Sequence, residues 1–311
     1  MDYPDALQKS IYHLRFKDAF LTKKGSEFQD WFVRLAGHAF GPDFEPVRAY
    51  GNMGDLKCDG YRNSTKTVFQ CYAPREMKQK DLLRKIDSDF YGALEGWNSR
   101  MNEWTLVHND ADGLPPNAIK KLQDLRAGNP SIAIRDWSMT ELNRHVIGLS
   151  LDSLIALFGF APSMMIVSGV GLQDLRPVLD KLVRSDPPPI APTNTPPADK
   201  IAKNSLSIEV IEMLKMGRLR SKLLQDYFSK GPHVPKGEEI ATSFRAHYAE
   251  LKSLSLSPDE IYERLQYFAG GGVGTVKHQA AVMTVLSYFF HTCDIFEDPD
   301  GYVIADFGSV R

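Results

Sequence analysis

The chain is poor in cysteine. Cys58, Cys71 and Cys293 are too few and too scattered for a disulfide framework or a zinc knuckle. Long hydrophobic runs are also missing: no stretch of 18 apolar residues occurs, which excludes a plain membrane-spanning helix. The opening residues Met1-Asp2-Tyr3-Pro4-Asp5 lack the basic-then-apolar layout of a secretion signal. The expectation is therefore a soluble, cytoplasmic protein without membrane attachment. Excess charge is absent as well. Lys and Arg number 37 against 39 Asp and Glu, giving a net charge of −2. That balance excludes a globally basic nucleic-acid coat, so any nucleic-acid binding must come from a local patch. The eight histidines show no pair at metal-ligand spacing, and no internal repeat is visible.

What is present is ample apolar content, 43% of 311 residues, enough for more than one core. The clearest break is 185–198, where six prolines fall in fourteen residues. Proline fixes φ and lacks an N–H, so this stretch reads as an extended linker. The expected division is a first domain over 1–162, a connecting segment over 163–184, the Pro-rich linker over 185–198 and a second domain over 199–311. In the first domain, helical and strand periodicities alternate in the order ααβββαβαβα, predicting an α/β fold with a mixed central sheet flanked by helices. Helices are expected from about 5 to 22, from 26, from 76 to 97, from 117 to 126 and from 140. Strands are expected over 44–50, 57–61, 67–72, 104–108 and 132–134. After the linker the pattern is helical throughout (204–216, 217–229, 237–252, 258–268 and 277–291), an all-α domain.

The densest polar cluster is Gly54-Asp55-Leu56-Lys57-Cys58-Asp59-Gly60, about ten residues ahead of Phe69-Gln70-Cys71-Tyr72. On paired antiparallel strands, Asp59 and Gln70 can converge with Asp55 close by. A carboxylate with an amide carbonyl is hard-oxygen ligation, suited to Mg²⁺ or Mn²⁺. Asp-Gly at a turn and alternation within a strand are also ordinary structural features, so these residues alone leave both readings open. Residues 75–85 add five basic side chains against two acidic ones, either a phosphate-facing patch or a solvated helix face. Ala269–Thr275 is glycine-rich, but no P-loop Lys-Ser/Thr follows it and no strand precedes it.

Gly25-Ser26-Glu27-Phe28, Gly54-Asp55 with Asp59-Gly60, and Val68-Phe69-Gln70-Cys71 together resemble the PD-(D/E)xK nuclease superfamily, nearest its Mrr-type branch. The resemblance implies a restriction-endonuclease-like fold acting on double-stranded DNA with Mg²⁺ or Mn²⁺. It makes Asp59 the metal-binding aspartate and Gln70 the first position of a Gln-x-Lys pair, with Asp55 assisting. Glu27 lies near a helix position where some members supply another acid. At the lysine position stands Tyr72, which supplies no ammonium. A lysine from the following helix, Lys78 first and otherwise Lys80 or Lys85, would have to replace it.

The second half carries its own resemblance. Pro196 to Ser207, Met216-Gly217, Tyr227-Phe228, Phe244 to Tyr248 and above all Tyr288-Phe289-Phe290-His291-Thr292-Cys293-Asp294-Ile295-Phe296-Glu297 are similar to the C-terminal domain of effectors of bacterial ABC-three-component, Lamassu-type, defence systems. That resemblance implies a non-catalytic docking module. Its partners would be an SMC-like ABC ATPase and a small third subunit, with homo-oligomerisation in the active state. Two functions follow as expectations. One is a metal-dependent DNA endonuclease effector held inactive by the ATPase; the other is a degenerate nuclease fold that binds DNA or scaffolds the complex, favoured by Tyr72.

Overall fold

The computed structural model describes residues 2–48, 55–183, 200–272, 274–292 and 295–296, which cluster into two compact units. The first comprises the residues up to Tyr3 together with His13–Gly159; the second comprises Pro4–Tyr12 and the chain from Phe160 onward. The Pro-rich segment 185–198, residues 49–54 and Cys293 lie outside the described residues.

In the first unit, α1 (Ala6–Thr22, of which 13–22 belong here) and α2 (Ser26–Phe40) precede three strands, β1 (Phe44–Pro46), β2 (Gly60–Arg62) and β3 (Thr67–Tyr72). Then come α3 (Gln79–Trp97), β4 (Glu103–His108), α4 (Pro116–Gly128), β5 (Ala133–Trp137), α5 (Met139–Ile147) and α6 (Leu151–Phe158). The five strands form one mixed sheet in the order β1-β2-β3-β4-β5. β1, β2 and β3 pair antiparallel, and β3, β4 and β5 pair parallel. The parallel pairs need crossovers, and the amphipathic α3 and α4 supply them. Phe69 packs on one face against Phe32, Phe40, Phe44 and Trp137. The other face buries Val68, Trp104, Leu106 and Ile134 with Leu82, Ile86 and Phe90 of α3 and Leu122 of α4. Successive strand residues point to opposite faces. Gln70, midway between Val68 and Tyr72, therefore lies on the α3 face.

Several boundaries differ from the sequence reading. α3 starts at Gln79 rather than 76, because Pro74 and an extended Lys78 (φ −100°, ψ 121°) keep the chain out of helix until then. The strand expected over 57–61 is Gly60–Arg62, because residues 55–57 form a turn with Leu56 and Lys57 at positive φ (52° and 58°).

The second unit contains α7 (Met164–Ser168), α8 (Leu172–Val183), α9 (Lys200–Lys203), α10 (Ile208–Arg218), α11 (Ser221–Phe228), α12 (Val234–Ser253), α13 (Pro258–Phe268) and α14 (Val276–Thr292). It is all-helical among the described residues. Its centre is α14, buried from Ala280 through Ser287 and again at Phe289 and Phe290. α10 crosses α14 where Gly217 permits close approach: a Cβ there would stand 2.6 Å from the Met283 carbonyl oxygen. Beside this contact the Ser287 hydroxyl donates to the Leu214 carbonyl. Residues 163–184, read from sequence as a connection, hold α7 and α8, and Leu175, Val178, Leu179 and Leu182 of α8 are buried. Ser257 and Glu260 form a reciprocal cap that starts α13. Among the described residues no helix is long and apolar enough to cross a membrane.

Candidate functional site

Asp59 lies one residue ahead of β2 and is 3% exposed. Its N–H donates to the Phe69 carbonyl at 2.8 Å, and its carboxylate Oδ2 accepts the Cys71 N–H at 2.6 Å. The two bonds bracket Gln70 on β3. The second carboxylate oxygen, Oδ1, accepts the side-chain amide of Gln29 from α2 at 2.5 Å. Burial raises the Asp59 carboxyl from 3.8 to about 6; Asp55 and Asp89 push the same way, while the Cys71 N–H and Lys85 oppose. Gln70 is buried too, and among the described residues its Oε1 has no hydrogen-bond partner. A buried carbonyl oxygen left without a donor is costly in a folded chain.

The remaining residues singled out from sequence are less close. Asp55 accepts the Lys57 N–H at 2.9 Å through Oδ1 and is near enough to Asp59 to raise its pKa. Tyr72 is half-buried against the α3-side core, and burial, followed by the charge of Asp81, raises its phenol above 10.0. It stays neutral at any ordinary pH. Glu27 is exposed at the start of α2, and Gln29, two residues on, is the residue of that helix that reaches Asp59. Lys78 is 62% exposed and pairs with Glu76 at 3.3 Å, outside the helix in which both were expected.

Beside the site lies a cluster of which only Lys85 was singled out as a candidate from sequence. Asp89, on α3, is fully buried, with Lys85 Nζ at 2.8 Å from Oδ2 and Lys57 Nζ at 3.4 Å from Oδ1. A signal for it was present. Ile86, Asp89, Phe90 and Ala93 share the i, i+3, i+4, i+7 stripe of α3, so an acid stands within the buried face.

Among the described residues no three His, Cys, Asp or Glu side chains group as a metal site. The donors present nevertheless fit a hard divalent ion in kind. Each Asp59 oxygen takes one hydrogen bond and keeps a further lone pair, and Gln70 Oε1 takes none. Mg²⁺ is commonly held by one or two carboxylates, with waters and substrate phosphate oxygens completing its shell. Elsewhere in this unit a cleft of about 550 Å³ runs along β5. Its charges are internally paired, Arg135 with Glu103, Arg126 with Asp136 and Arg144 with Glu141.

Comparison with known families gives one finding. Residues 173–297 match the model of C-terminal domain 10 of the ABC-three component (ABC-3C) systems. The match starts inside α8, in keeping with the packing of that helix in the second unit. It supports membership of an ABC-three component system. No curated protein and no solved structure matches the chain.

Proposed function

We propose that this member of an ABC-three component system is its nuclease effector, a metal-dependent endonuclease acting on double-stranded DNA, with the first unit cutting and the second docking. The observation that carries the reading is buried Asp59 set against the unpartnered Gln70 Oε1. Asp59 and Gln70 would hold Mg²⁺ or Mn²⁺, with Asp55 beside them. Such an ion, when bound, lowers the pKa of its water and offsets the charge that builds on a phosphate. The chain's own residues prepare the place. The Cys71 N–H and the Gln29 amide fix the plane of the Asp59 carboxylate, so its free lone pairs keep one direction. Burial raises the Asp59 carboxyl to about 6, so without a cation it is half ionised near pH 6, and a bound cation would favour its ionised form. Within the system, which we place in the Lamassu type, an SMC-like ABC ATPase and a small third subunit would hold the chain inactive until foreign DNA is sensed. The active state would be a homo-oligomer.

The experiment is conversion of supercoiled plasmid to nicked and linear forms by the full chain, alone and with the system's ATPase, in Mg²⁺ and in EDTA. Cleavage in Mg²⁺ that EDTA abolishes is expected. A second reading is favoured by Tyr72, which leaves the usual lysine position uncharged. In it the fold is catalytically degenerate and serves as a DNA-binding or scaffold subunit. DNA binding with no metal-dependent cleavage under either condition would select that reading.

A further inference from the structure

We propose that Lys57 and Lys85, both seated on the buried carboxylate of Asp89, are the cationic half of the site and contact the phosphodiester of the nucleic acid. Asp89 acts as their positioning residue. The proposal takes its substrate class from the nuclease reading, but it rests on separate residues and separate distances.

The first ground is charge. One carboxylate neutralises one ammonium, yet Asp89 has two, at 2.8 and 3.4 Å. The neighbouring pairs are matched one to one: Arg84 with Asp81, Lys121 with Asp87, Lys78 with Glu76. Asp89 alone therefore leaves one of its two ammonium groups unmatched, and the other acids nearby, Asp59 and Asp55, are the ones assigned to the metal. Asp89 is fully buried, while Lys57 and Lys85 are 42% and 31% exposed, so the ammonium groups and not the acid face outward. A partly exposed cation fixed at its inner end by a buried acid is a preformed anion contact, with part of its ordering cost already met by the fold.

The second ground is how the fold brings Lys57 there. The turn 55–57 lies against α3 at Gly92 and Gly96. A Cβ at 92 would stand 2.7 Å from Lys57 Cγ, and one at 96 would stand 2.9 Å from Leu56 Cβ. The Trp97 indole N–H donates to the Leu56 carbonyl at 3.3 Å and holds the turn from the same helix. Leu56 and Lys57 both take the left-handed conformation, which is unfavourable for non-glycine residues. The cost is met because one turn then delivers Lys57 to Asp89 and leads directly into Asp59.

The third ground is position. Lys57 precedes Asp59 by two residues, and Gln70 is on the face of β3 that α3, the helix of Lys85 and Asp89, covers. Acid, amide oxygen and cations therefore belong to one place. Tyr72 leaves the strand without a charge there, and α3 together with the 55–57 turn supplies it.

The test is binding of a short DNA duplex to the full chain in EDTA over a range of salt concentrations. Lys57→Ala and Lys85→Ala should each reduce the slope of log K against log salt by about one, the value for one lost phosphate contact. Lys57→Arg and Lys85→Arg should restore it. Either single alanine variant leaves Asp89 one partner, so both should fold, as circular dichroism would verify. If both alanine variants keep the wild-type slope, the proposal is overturned, whether or not the chain cuts DNA. If the slope falls as stated but wild type never cuts in Mg²⁺, the cationic site stands and the nuclease reading fails.

Discussion

Asp59 combines burial, two directed hydrogen bonds and a neighbouring acid, and that combination has a stability cost. Its carboxyl is raised from 3.8 to about 6, so the folded state holds a proton that the unfolded state releases more readily. The contribution to stability is full below about pH 4 and is lost as pH rises through about 6. At about 1.4 kcal/mol per pKa unit, the penalty at pH 8 is roughly 3 kcal/mol. Asp59→Asn should therefore be more stable than wild type at pH 8 and not at pH 4. Thermal melts at the two pH values check it, and equal melting shifts at both would contradict the account. Of this site, Asp59, Gln70 and Asp55 were legible in the sequence because strand pairing and Asp-Gly spacing are local signals. Gln29, Asp89 and Lys57 were not, because each reaches the site from another element through a packing contact that spacing does not encode.

Among the elements, helical and strand periodicities were enough to give the order ααβββαβαβα and the helical character of the second half. The misses have physical causes. α8 carries Pro177 in its interior, which reads as a breaker, but its four buried apolar residues at three- and four-residue spacing keep it helical against the core. The turn at 55–57 depends on two non-glycine residues at positive φ, which composition does not announce. The close contact of α10 on α14 gives a direct prediction. Gly217→Ala places a Cβ 2.6 Å from the Met283 carbonyl oxygen and 2.7 Å from Ser287 Cβ. Overpacking of this kind costs about 1–3 kcal/mol. A lowered midpoint in urea unfolding of the full chain is the expected result; an unchanged midpoint would show that the two helices separate freely.

At the scale of the whole molecule, a mixed α/β unit with an acid, an amide oxygen and paired lysines is joined to a helical unit matching an ABC-three component domain. The second unit buries its most specific aromatic residues, Phe289 and Phe290, in its own core. Docking by this unit, as proposed, would therefore fall to other, surface residues. The central claim, that the first unit cuts DNA from Asp59, is tested most directly by comparing wild type with Asp59→Ala on supercoiled plasmid in Mg²⁺, full chain with the system's ATPase, at matched circular dichroism. The account predicts wild-type nicking and a loss of at least about 10²-fold in the variant, the scale expected when a group essential to the chemistry is removed. Cleavage by Asp59→Ala at the wild-type rate would contradict it.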